Sequence, residues 1–96
     1  MKPIVTAHDA HAAIQKVMGA GDVAELDATQ LQDQRRALED ILASVHRCLE
    51  SGTIGEWAAY RLSGQILGRL QGVAQQFDVV GKLEGLAAKL PAAARR

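Results

Sequence analysis

The side chains with the widest chemical repertoire in this chain are three histidines and one cysteine: His8, His11, His46 and Cys48. A thiol nucleophile needs a base within hydrogen-bonding reach and a third group to orient that base. His46 and Cys48 are two residues apart, a spacing that sends them to divergent sides of a helix. His8 and His11, three apart, share one side of a helix and read as exposed polar residues near its start. Neither a paired CxxC nor an HExxH element accompanies them, so the spacing does not support a metal site. The carboxylates Asp33, Glu39, Asp40 and Glu50 have arginines nearby in sequence, which favours solvated ion pairs over a general acid and base. Gly19-Ala20-Gly21 follows a helix-like segment and lacks the lysine of a phosphate loop. The expectation is therefore a protein that is not an enzyme and holds no metal or cofactor.

Composition narrows the alternatives. In 96 residues, 11 basic side chains balance 11 acidic ones and 48% of residues are apolar, yet only Trp57, Tyr60 and Phe77 are aromatic. The length suits one domain spanning 1–96. Zero net charge offers no general footprint for phosphate binding, and so few rings give little platform for stacking bases. Nucleic acid is thus an unfavoured partner, although a helical dimer with locally clustered arginines is the alternative to keep. No apolar stretch reaches the length of a bilayer span and the N-terminus lacks the apolar run of a secretion signal, so the expected location is cytoplasmic, without membrane contact. The lone Cys48 sits among apolar residues and reads as a small buried hydrophobe.

Periodicity points to an all-α fold. Thr6 with Asp9 has the form of a capping box, and Ala10, Ala13, Ile14, Val17 and Met18 follow at three-and-four spacing, which predicts a helix over 7–18. Gly19 to Asp22 should end it through a left-handed glycine, and a loop or short turn carries Val23 and Leu26. Asp27 with Gln30 opens a second helix over 28–51. Along it Leu31, Leu38 and Val45 recur every seven residues beside Gln34, Ile41 and Cys48, with Gln34 the one polar member. Its opposite face carries Arg35, Arg36, Glu39 and Asp40, placed for Arg35–Glu39 and Arg36–Asp40 pairs.

Ser51-Gly52 closes this helix, and Thr53 with Glu56 suggests a capping box for a third over 54–77. A connection so short implies an antiparallel αα-hairpin, with Leu62, Ile66, Leu70, Val73 and Phe77 facing the second helix. After Asp78 a short fourth helix is expected over 79–90, stopped by Pro91 and followed by a flexible tail over 91–96.

Gly64, Gly68 and Gly72 stand four apart inside the third helix, each costing about 1 kcal/mol relative to alanine. On a helical wheel they lie away from the Leu62 seam, on the side of Trp57 and near Arg61. Either they form a groove for another backbone with Trp57 and Tyr60 as anchors, or they pack within the chain while both aromatics cover the hairpin end. The candidate partner-binding residues are Trp57, Tyr60, Arg61, Gly64, Gly68 and Gly72, then Arg35, Arg36, Glu39 and Asp40. A small, alanine-rich domain with wide apolar stripes favours a larger protein partner or a homodimer. The physical type is that of small bacterial or phage regulators and inhibitors: secretion chaperones, antiactivators, immunity proteins and anti-defence proteins.

Overall fold

The computed structural model describes residues 3–19 and 21–89, and these are helical without any strand. Three α-helices follow in order: α1 (Ala7–Met18), α2 (Ala28–Ser51) and α3 (Glu56–Lys89), with a single 3-10 turn, Val23–Glu25, between the first two. Local chemistry sets the two upstream starts. Thr6 Oγ1 accepts from the Asp9 amide at 3.2 Å while the Asp9 carboxylate accepts from the Thr6 amide at 3.1 Å. Asp27 and Gln30 form the same reciprocal pair, at 2.8 and 3.0 Å, so orphan amides of both first turns are satisfied.

The ends differ from expectation in two places. Gly19 closes α1 with right-handed backbone, φ −65°, and the positive φ of the connection falls at Gly21 instead, at 118°. Gly52 is the left-handed residue that ends α2, at φ 83°, where any side chain would be strained. The α3 helix begins at Glu56 rather than at 54, because Thr53 turns back: its amide and its hydroxyl donate to the Cys48 carbonyl at 2.9 and 3.4 Å. Ile54 is thereby tucked under the connection, buried.

The larger correction concerns the fourth helix. The spans expected as separate helices, 54–77 and 79–90, form one helix of 34 residues that passes through Asp78 without interruption. Aspartate inside a helix costs well under 1 kcal/mol, and neither Pro nor a left-handed glycine stands there to redirect the chain. The stop at Pro91 and the tail over 91–96 lie outside the described residues.

The main core joins Ala10 and Ile14 of α1, Leu38, Ile41, Val45 and Cys48 of α2, and Ala59, Leu62 and Ile66 of α3. A smaller cluster at the other end joins Leu26, Leu31 and Val73, with Val23, Phe77 and Val80 packed around it. Both heptad series of α2 are buried, Gln34 included. At 6% exposure this amide is costly to leave unpaired, and both its ends have partners: its Nε2 donates to the Val17 carbonyl at 3.2 Å and its Oε1 accepts from Arg69 Nε at 3.1 Å. Arg69 also donates to the Gly21 carbonyl at 2.7 Å. One polar chain thus ties the end of α1, the loop after it, α2 and α3 into a single arrangement, with the chemistry of a charge-assisted hydrogen bond at its centre.

Candidate protein-binding face

The residues singled out on α3 fall on its solvent side. Trp57 and Tyr60 are 72% and 73% exposed, so the reading in which they cover the hairpin end as core residues is overturned. Their rings stack on each other, with centroids 6.0 Å apart and planes inclined by 20°. Three-residue spacing puts both on one side of the helix, and Ala59 and Leu62, offset by the helical twist, take the core side instead. The ring pair is a preformed apolar plate: stacking restrains both side chains while the face away from the core stays in water.

Beside this plate, Tyr60, Arg61, Ser63, Gly64, Gln65 and Leu67 line a shallow depression of about 560 Å³. Gly64 lies in its lining, and Gly68 stands one turn further along the helix. A Cβ built at either would meet nothing within 4 Å, so these glycines do not admit another part of the same chain. Gly72 differs, because its Cβ position lies 3.5 Å from Val23 Cγ2, an ordinary contact with the 3-10 turn. The stripe therefore divides: two members face open space and the third packs internally. Leu67, 54% exposed, completes the apolar surface and was not among the expected contacts, since it lies between the glycines in sequence and joins their face only by helical geometry.

Arg61 borders a second cleft of about 280 Å³, where it meets His8 and His11 of α1 together with Gln65. All four side chains are exposed. His46 is exposed on α2, and Cys48 is buried, its thiol donating to the Ile4 carbonyl at 3.3 Å. The cysteine is thus separated in role from the histidines. Among the described residues, no three His, Cys, Asp or Glu side chains gather in a way that could hold a metal ion.

The charged candidates occupy another helix. Arg35 and Glu39 approach to 3.7 Å with both side chains about half exposed, a geometry worth little in water. The guanidinium of Arg35 also stands 5.9 Å from the Phe77 ring centroid, which ties it to the small core cluster. Arg36 and Asp40, equally spaced, make no ion pair among the described residues. Neither of the two depressions on α3 includes a member of the α2 group.

Farther along α3, Val79, Leu83 and Leu86 are exposed as well. In sequence their spacing suggests the buried stripe of a separate helix. Leu83 and Leu86 lie beyond Val80, which still packs on the smaller cluster. No helix among the described residues is long and apolar enough to cross a membrane. Comparison of the chain with protein-family models, with curated proteins and with solved structures found no match.

Proposed function

We propose that the protein is a non-catalytic, cytoplasmic binding module, built as a small antiparallel helical-hairpin bundle, that regulates or inhibits a larger protein complex by occupying one of its surfaces. One observation carries this reading: two of the three aromatic residues in the chain are stacked on the outside of α3 beside glycines open to solvent. Burying a Trp–Tyr plate is among the strongest contributions an interface can make, and aromatics concentrate at the energetic centres of interfaces. In a free monomer the same plate exposes apolar surface without return. Arg61 at its border adds a charged hydrogen-bonding group of the kind enriched at such centres.

The test is co-purification from native lysate with tagged wild type and with the double substitution Trp57→Ala and Tyr60→Ala. A protein retained in stoichiometric amount by wild type and lost from the variant, with unchanged far-UV circular dichroism, supports the reading. Equal retention by both overturns the assignment of this face. Gly68→Leu sharpens the result, because the added side chain enters open space within the chain and interferes only with something docked from outside.

A further inference from the structure

The cleft between α1 and α3 gathers positive charge without an internal partner. The two helices meet through Ala10 and Ile14 on one side and Ala59, Leu62 and Ile66 on the other, and this packing fixes which faces oppose. His8 and His11, three apart on α1, thereby share a cleft with Arg61 and Gln65, four apart on α3. The small, half-buried Ala7 and Ala58 leave a gap between them of about 280 Å³. Among the described residues no acidic side chain lines the cleft, and α2 contributes nothing to its wall. Asp9, next to His8, turns its carboxylate to the Val5 and Thr6 amides, at 3.2 and 3.1 Å. Arg35, Arg47 and Arg69 are engaged within the chain, with Glu39, Ser44 and Gln34 respectively. Arg61 makes no hydrogen bond or ion pair among the described residues.

We propose that this cleft is a carboxylate subsite, which receives an acidic side chain of the protein that docks on α3. The proposal rests on the reading of α3 as a protein-binding face and adds the chemistry that a partner must present beside it. Arg61 and Gln65 line both the cleft and the neighbouring depression with Tyr60, Gly64 and Leu67, so one ligand can touch both. A guanidinium offers a carboxylate two parallel N–H donors, and the imidazole and amide N–H groups add donors around it. A metal cation is disfavoured in the same place, because Arg61 brings a permanent positive charge to the two imidazoles.

Charge distribution favours a protein carboxylate over a phosphate chain. A nucleic-acid backbone carries a charge at every step and is held by cations strung along a face. Here 11 acidic side chains balance 11 basic ones, and the adjoining depression has no lysine or second arginine in its wall. One anionic position beside apolar surface is what an aspartate or glutamate in a protein segment supplies. Protonation adds to the attraction. Arg61 keeps its charge throughout, so the pH dependence comes from His8 and His11. Imidazoles gain positive charge as pH falls from about 8 to about 5, while an acidic side chain stays ionised over most of that range. Binding therefore strengthens as pH falls toward 6.

Imidazole NMR resonances of the full chain read the site directly, and His46, exposed on α2 and outside the cleft, is an internal reference. The probe is a capped tetraglutamate peptide, with capped tetraglutamine, acetate and inorganic phosphate beside it. Tetraglutamate should shift His8 and His11, leave His46 in place, and bind at least about threefold more tightly at pH 6 than at pH 8. Arg61→Gln, at an exposed position, should weaken that binding at least about fivefold with unchanged far-UV circular dichroism. Silence at His8 and His11, equal movement of His46, or an equal response to tetraglutamine overturns the proposal. Acetate that binds as tightly as the peptide, or phosphate that binds more tightly, assigns the cleft to a free anion and overturns the protein side chain as its ligand. A lysate protein lost with Trp57→Ala and Tyr60→Ala yet retained by Arg61→Gln overturns the cleft alone. Peptide binding in the cleft, with lysate retention indifferent to both aromatics, overturns the reading of the aromatic face instead.

Discussion

The inner and outer sides of α3 both carry large apolar residues, and these have opposite fates. Inward, Leu62 and Ile66 are buried in the main core with α1 and α2, and Val73 in the smaller cluster with Leu26 and Leu31; outward, Trp57, Tyr60 and Leu67 keep most of their surface in water. On α2 the contrast is of a more familiar kind, apolar within and charged without, as Arg35, Arg36, Glu39 and Asp40 show. A helix that is apolar on two sides serves two packings, and only one is made inside this chain. The inner side determines whether the protein folds, and the outer side carries the binding face proposed above.

The largest effect that would break this contrast comes from the inner side. Ile66 is fully buried, and Ile66→Ala should cost about 3 kcal/mol in urea unfolding through lost transfer energy and a residual cavity. Trp57→Ala, removing a larger side chain from the outer face, should change monomer stability by less than about 0.5 kcal/mol. If both cost the same, the two sides of α3 are not distinct.

The polar chain that holds the inner side in register is next in size. Arg69→Met removes the donors to Gln34 and to the Gly21 carbonyl and leaves the buried Gln34 oxygen without its partner, a loss of about 2 kcal/mol. Adding Gln34→Leu should recover part of that loss, because the buried Gln34 oxygen is then gone, although the Val17 carbonyl gives up the Gln34 Nε2 donor in turn. Strict additivity in the double-mutant cycle would show that the two side chains act separately.

Legibility in the sequence follows the range of the interaction. Both capping boxes and the buried heptads of α2 are readable because each depends on neighbours within a few residues, and the structure reproduces those starts. Gln34 is visible as a polar residue in an apolar series, but its partner Arg69 stands 35 residues away and emerges only when helix register is known. The continuity of α3 was obscured for a related reason. The apolar pattern shifts phase near Asp78, which in sequence resembles a new helix. In the structure the shift separates Phe77 and Val80, packed on the smaller cluster, from the exposed Val79, Leu83 and Leu86 of the same helix. Likewise nothing local distinguishes Leu62 from Leu67, since burial is decided by where α1 and α2 lie.

Caps lie on a smaller scale. Asp27→Ala removes the acceptor for the Gln30 amide and should destabilise the fold by about 1 kcal/mol in the same urea titration, without touching either side of α3. Association through the outer face should be unchanged at concentrations where the variant is folded. A parallel loss of association would tie the two regions together through global stability.

The smallest expected effect addresses the far end of α3 most directly. Gly85→Ala adds a methyl group to open space and raises helix propensity by about 0.5–1 kcal/mol, yet it touches no packed residue. In an isolated monomer that gain concerns only the last turns of α3, so the main unfolding transition should not move, while amide exchange at residues beyond 81 should slow. Where the end is held by another chain, its helix is already formed, and the same substitution should leave exchange there nearly unchanged. Comparing the variant at low and high protein concentration therefore separates a helix end that orders itself from one that is ordered by what it binds.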